Sequence, residues 1–276
     1  SMNLDPADSD YEMMDFAGAW GRERYVKKQK LHVGIQSIYS LRGHSSHQFN
    51  PFLMLKRPET VENSGEVIGV SLIYSGNFLG QVEVDNYHVT RVMMGIHPEG
   101  FAWNLTNGTE FQTPEAVMVY SNQGMNYMGQ VCHKLYRTRL ARGYWRDKAR
   151  PILVNNWEAT YMDFDEEKLL AIAKTANDLG VELFVLDDGW FGHRDDATSS
   201  LGDWFADRRK LPDGIEGIAD KITSLGMRFG LWFEPEMISM DSELYRAHPD
   251  YMLKTPGSVP CHGRNQFVLD FSKPEV

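Results

Sequence analysis

Cysteine is almost missing from this chain. Its 276 residues hold two, Cys132 and Cys261, far apart in sequence. Two such thiols make neither a disulfide framework nor a cysteine-rich zinc site, and reduced thiols fit a cytoplasmic protein. Long apolar runs are missing too, so no segment is expected to span a membrane. The first residues are polar and acidic, without the basic start or apolar stretch of a signal peptide. Ser1-Met2 has the look of an expression remnant, and the natural start is expected upstream. Positive charge is in short supply: 28 Lys and Arg against 38 Asp and Glu give a formal net charge of −10. That balance argues against nucleic acid or an anionic membrane as partner. No Gly-x-Gly-x-x-Gly follows the first βα strand and no Gly-x-Ser-x-Gly occurs, so neither dinucleotide binding nor acyl hydrolysis has support. His193, His248 and His262 show no metal-ligand spacing. No cofactor and no metal are expected.

What is present divides into two grammars. Residues 1 to about 125 carry short β-rich runs: His32–Tyr39, Glu66–Tyr74, Gly80–Asp85 and Val89–Met94. Turn-forming clusters, Asn63-Ser64-Gly65 and Ser75-Gly76-Asn77, separate them, and the pattern predicts an antiparallel sandwich. Residues 126–150 read as a helical linker, with Val131, Leu135 and Tyr136 on one helix face. From Pro151 onward strands and helices alternate. Strands are expected at Ile152–Val154, Leu183–Leu186 and from Arg228, with a short fourth at Gln266–Asp270. Helices are expected from Asp165 to Gly180, from Ile215 to Leu225 and over Ser242–Ala247. Such βα repeats fit a (β/α)8 barrel or an open doubly wound sheet. A barrel of this class takes roughly 250 residues, and 126 remain from Pro151. The expectation is the first half of a barrel, cut from a longer protein.

The chemistry concentrates at strand ends. Leu183–Leu186 reads as a strand buried on both faces, and it ends in Asp187 and Asp188, followed by Gly189 and Trp190. Ligands of parallel α/β folds bind at the carboxyl ends of strands. Ionised carboxylates accept several short hydrogen bonds, which suits a polyol. The competing role for the pair is to cap backbone amides in a turn. Glu234, Glu236 and Asp270 are further strand-end carboxylates. Glycoside hydrolysis needs two carboxyl groups, but salt bridges and loop anchoring explain such residues equally well. Trp157, Trp190, Trp204 and Trp232 either stack on a sugar face or fill the core. Trp157 and Trp232, flanked by polar strand-end residues, are the better pocket candidates. Arg264 offers a fork of donors.

These blocks resemble glycoside hydrolase family 36, whose main members are retaining α-galactosidases. Gly18–Arg24, Arg42–Phe52, Tyr74–Phe78 and Phe111–Glu115 are similar to its β-supersandwich domain. Asn156–Tyr161, Leu186–Gly192, Leu201–Trp204 and Gly230–Met237 are similar to the start of its barrel. The resemblance implies that residues 1–125 form part of the β-supersandwich and residues 151–276 the first half of the catalytic barrel. It implies that Asp187 and Asp188 bind the O4 and O6 hydroxyls of a terminal galactose. Trp157 and Trp232 would line the pocket, and Arg264 would add a hydroxyl contact. The substrates implied are galactosides of the melibiose and raffinose type. The family's Lys-Trp-Asp nucleophile segment and its acid/base aspartate have no match here, so no catalytic residue is assigned. Glu234, Glu236 and Asp270 fall to supporting roles. Two alternatives stand beside hydrolysis: sugar binding without catalysis, and galactosyl transfer of the raffinose-synthase kind. A homo-oligomer, a tetramer in the family, is a further implication.

Overall fold

The computed structural model describes residues 1–4, 8–258, 260 and 262–276. Cys261 lies outside them. The chain forms two compact units, Ser1–Lys148 and Ala149–Val276.

The first unit has nine strands: β1 (Met2–Asn3), β2 (Glu12–Ala19), β3 (Arg22–Lys30), β4 (Gly34–Ser40), β5 (Phe49–Lys56), β6 (Val67–Ile73), β7 (Phe78–Val84), β8 (Thr90–Ile96) and β9 (Glu115–Ser121). They build two antiparallel sheets, ordered β1-β8-β7-β4 and β3-β2-β5-β6-β9. Side chains alternate faces along a strand, and that alternation makes the core. Met13, Leu53, Leu55, Ile68 and Val70 of the larger sheet pack with Ile38, Phe78, Val82 and Val92 of the smaller. Their neighbours Met14, Met54 and Val67 face the opposite way. There they meet Met128 and Cys132 of helix α1 (Gly124–Leu135). The helix expected to link the two halves therefore packs on the first unit. Burial pushes the Cys132 thiol above its ordinary value.

The second unit adds β10 (Leu153–Asn155), α2 (Trp157–Thr160), α3 (Glu166–Asp178), β11 (Leu183–Leu186), α4 (Gly214–Thr223), β12 (Arg228–Leu231), β13 (Met237–Ile238), α5 (Glu243–Ala247) and β14 (Phe267–Val268). Strands β10, β11 and β12 form a parallel sheet with β11 in the middle. Asp165 caps α3, its carboxylate accepting from the Lys168 N–H at 2.8 Å. Leu169 and Ala173 of α3 and Ile218 and Ile222 of α4 bury themselves with Phe184 and Leu186 of β11.

The expected fourth parallel strand is a correction. Gln266–Asp270 does contain β14, but β14 runs antiparallel to β13 and not beside β12. Phe267 and Leu269 are buried with Ile238 and Met252 in a small separate cluster, while Val268 between them is exposed. One covered face and one wet face is the mark of an antiparallel strand. Among the described residues the parallel sheet thus has three strands.

Asp15 in β2 is 0% exposed, and neither carboxylate oxygen has a hydrogen-bond partner. The Lys27 Nζ stands 3.9 Å away. Burial raises the carboxyl pKa, partly offset by Lys27. The folded state then holds this proton more tightly than the unfolded chain, so stability falls as pH rises through the folded-state value. Asp15→Asn is expected to raise the thermal midpoint at pH 7 and to leave it nearly unchanged at pH 3, read from melting curves in the two buffers.

Candidate functional site

The end of β11 is where the polar groups of the second unit gather. Its four apolar residues give way to Asp187 and Asp188. Gly189 follows at φ +101°, a backbone region that side chains resist, and a Cβ there would meet Met162 at 3.0 Å. The chain can turn at this point only because residue 189 has no side chain.

Asp187 is half-buried and is held by neutral groups. Its N–H donates to Asn156 Oδ1 at 2.8 Å. Its carboxylate accepts from the Asn155 side-chain amide and from the Asp188 N–H, the latter at 2.7 Å. Asn155 ends the neighbouring strand β10, in register with Val185. Its side-chain Oδ1 accepts from the Trp157 N–H at 2.7 Å. Trp157, opening α2, stands edge-on to Tyr161 with ring centroids 5.2 Å apart.

Asp188 is 4% exposed and is held by a charge. Arg194 donates from Nε to Oδ1 at 2.8 Å and from Nη2 to Oδ2 at 3.0 Å. The remaining Nη1 donates to the Ser199 carbonyl at 2.7 Å. Arg194 itself is 0% exposed. The loop that carries it is gripped by Lys210, whose ammonium donates to the carbonyls of Met162 (2.9 Å), Gly189 (2.9 Å) and Arg194 (3.0 Å). Lys210 also pairs with Asp195 at 2.9 Å, which holds that carboxyl below its ordinary value.

Beyond β12, the Trp232 N–H donates to the Leu186 carbonyl at 2.9 Å, and the Trp232 carbonyl accepts from Trp190 Nε1 at 3.0 Å. Trp232 is therefore tied to the strand that carries the acid pair. It is half-buried, with Phe191 stacked 6.4 Å away. Trp190 is buried and Trp204 packs against Phe191 at 4.4 Å, so these two serve the core.

Glu234 lies in the same electrostatic field. Burial raises its carboxyl pKa; Arg264 and Arg194 oppose the rise, while Asp188 and Glu236 add to it. Arg264 is exposed and stands in a two-residue turn, Arg264 at φ +53° and Asn265 at φ +60°. The turn closes through reciprocal bonds between Gly263 and Gln266. Positive φ at a non-glycine residue costs on the order of 1 kcal/mol. Asp270 does not join the acid pair: its carboxylate accepts from the N–H and the hydroxyl of Ser272. Among the described residues no three His, Cys, Asp or Glu side chains converge as a metal site would require. Two hollows, of about 470 Å³ beside Met128 and about 490 Å³ beside Val154, contain neither aspartate of the pair.

Of the residues singled out from sequence, Asp187 and Asp188 end β11, Trp157 and Trp232 follow the neighbouring strands, and Arg264 stands on an exposed turn; Arg194, Lys210 and the bond from Asn155 were not anticipated. Lys210 was hidden in the run Arg208-Arg209-Lys210, which looks like solvated charge. Arg194 had one available signal, a basic residue six positions after an acid at the end of a buried strand.

Lys210 gives a direct test of how firmly this loop is held. Lys210→Met strands three carbonyls, and an unpaired buried polar group costs about 1–3 kcal/mol. Denaturant unfolding is expected to show a loss of at least about 2 kcal/mol, whereas Lys254→Met, at an exposed position, should change stability by less than about 0.5 kcal/mol.

The likeness to known proteins runs along the whole chain. Residues 110–276 match the family model described as Melibiase, and residues 1–106 match the glycosyl hydrolase family 36 N-terminal domain. Alpha-galactosidase AgaA of Geobacillus stearothermophilus is 57% identical over 276 residues, which cover all of this chain and 38% of that protein. The crystal structure of the GH36 alpha-galactosidase AgaB of the same organism superposes with a TM-score of 0.96 at 58% identity, over 100% of this chain and 38% of that one. A variant of AgaA solved in complex with raffinose superposes with the same TM-score of 0.96 at 56% identity and the same coverage. The chain thus spans 38% of the length of these relatives.

Proposed function

The chain belongs to the melibiase family of glycosyl hydrolases, with the family 36 N-terminal domain ahead of its melibiase segment, and we propose that it supplies the sugar-recognition end of a retaining α-galactosidase. The substrates are terminal α-linked galactosides of the raffinose and melibiose type. The bond-breaking carboxyl groups belong to the part of the relatives that this chain does not match. The proposal includes closure of the parallel sheet into a (β/α)8 barrel and assembly into a homo-oligomer.

One observation carries it: two adjacent carboxylates, fixed at the carboxyl end of the central parallel strand, with acceptor capacity left over. Each carboxylate oxygen has two lone-pair positions. Arg194 takes one on each oxygen of Asp188. Asn155 takes one on one oxygen of Asp187, and the Asp188 N–H takes one on the other. What remains can accept from hydroxyl groups. Galactose and glucose differ in the direction of the C4 hydroxyl, so acceptors at fixed positions discriminate the two. Trp157 and Trp232 supply apolar planes for the faces of the ring, and Arg264 donates to a further hydroxyl. A site that leaves buried polar groups unpaired with the wrong sugar rejects it strongly. Catalysis then follows double displacement: a nucleophilic carboxylate attacks C1 as the glycosidic C–O bond breaks and the leaving oxygen takes a proton from a second carboxyl group; water, giving its proton back to that group, then attacks C1 and frees the nucleophile, with net retention.

The full-length protein, assayed with p-nitrophenyl α-galactoside and α-glucoside, is expected to hydrolyse the galactoside with net retention at C1, followed by proton NMR. Asp187→Asn should lower kcat/KM on the order of 100-fold, about 2.7 kcal/mol of transition-state binding. Equal turnover of both glycosides would contradict the proposal.

A further inference from the structure

We propose that Arg194 is a positioning residue for sugar recognition: its guanidinium fixes the direction in which Asp188 presents its free lone pairs, and through that it sets the preference for one sugar epimer. The inference rests on the galactoside reading above and assigns a role to a residue that never meets the sugar.

The geometry carries it in three steps. First, the contact is a planar fork, with both Asp188 oxygens engaged at 2.8 and 3.0 Å. A bidentate pair fixes the plane of the carboxylate as well as its place, which a single donor cannot do. Second, the fork has no freedom of its own. Arg194 is 0% exposed, its third nitrogen is bound to Ser199, and its backbone carbonyl is held by Lys210. Lys210 also holds the carbonyl of Gly189, directly after Asp188. The acid and its positioner are thus clamped from one cation. Third, the neighbouring acid is held more softly: Asp187 is half-buried and bound only by neutral donors. Of the two carboxylates, Asp188 is the rigid reference.

Stability alone does not account for the pair. Two buried charges cost solvation that their attraction barely repays, and apolar replacements of the same volume often fold as well or better. What an apolar pair cannot do is aim lone pairs. The competing explanation is that Arg194 only anchors its loop, through Ser199.

The test uses the full-length protein with galactose, its 6-deoxy analogue and glucose, by titration calorimetry, together with kcat and KM on the p-nitrophenyl galactoside. The wild type should prefer galactose. Arg194→Lys keeps the charge and loses the fork. It should weaken galactose binding at least ten-fold, raise KM more than it lowers kcat, and narrow the preference of galactose over the other two sugars. A loop anchor would lower the thermal midpoint and leave those ratios unchanged, and that result overturns the proposal. If Arg194→Lys fails to fold, the pair Arg194→Met with Asp188→Asn removes the charge imbalance. Arg194 acts through Asp188, so this double variant should recognise sugars as Asp188→Asn alone does. A further loss of selectivity beyond that variant contradicts the proposal. A wild type with no preference for galactose would instead overturn the galactoside reading, and the inference with it.

Discussion

The second unit depends on one buried ion pair, Asp188 with Arg194. A carboxylate 4% exposed and a guanidinium 0% exposed can coexist only in contact, because either charge alone in that surrounding costs several kcal/mol. The pair therefore dictates the path of the chain between them. Gly189 must turn, the aromatic pair Trp190-Phe191 must enter the core, and Arg194 must fold back. Lys210 completes the arrangement by pairing carbonyls that a turn of this kind leaves without partners. The loop past β11 is a built element, as firmly specified as the strand before it.

Beside this, the sheet-rich first unit solves a different problem. Its five-stranded sheet buries both faces, one on the smaller sheet and one on α1. Its outer strand β3 carries Arg22, Arg24, Lys27, Lys28 and Lys30 and is almost wholly exposed. Charge along a free edge is a common defence against unwanted strand pairing. The sequence of β3 follows from that edge position and not from a core.

Sequence legibility tracked physical cause. Strands β4, β7 and β8 announce themselves by alternation, because one face of each is the more deeply buried, and β6 by its run of apolar and β-branched residues, because both of its faces are covered. β3 could not, since its charges answer to solvent. Segment 266–270 was readable as a strand, but its partner was not: the alternation of Phe267 and Leu269 around Val268 says that one face is wet, not which strand lies alongside. At the site, Asp187 and Asp188 stood out because acids rarely end a buried strand without a use. Trp232 and Trp157 followed from flanking polar residues. Arg194 left little more than its place six residues past an acid, because its partner lies across a loop, and loops have no period. Asn155 was visible at a strand end, but its bond to Asp187 depends on the register of two parallel strands.

The central claim is that Asp188, held by Arg194, is the fixed acceptor of the sugar site. A crystal structure of the full-length protein with galactose tests it most directly. An oxygen of Asp188 should lie within about 3.2 Å of a ring hydroxyl while both Arg194 bonds persist. A bound galactose that leaves Asp188 uncontacted, or that draws Asp188 off Arg194, would contradict the account.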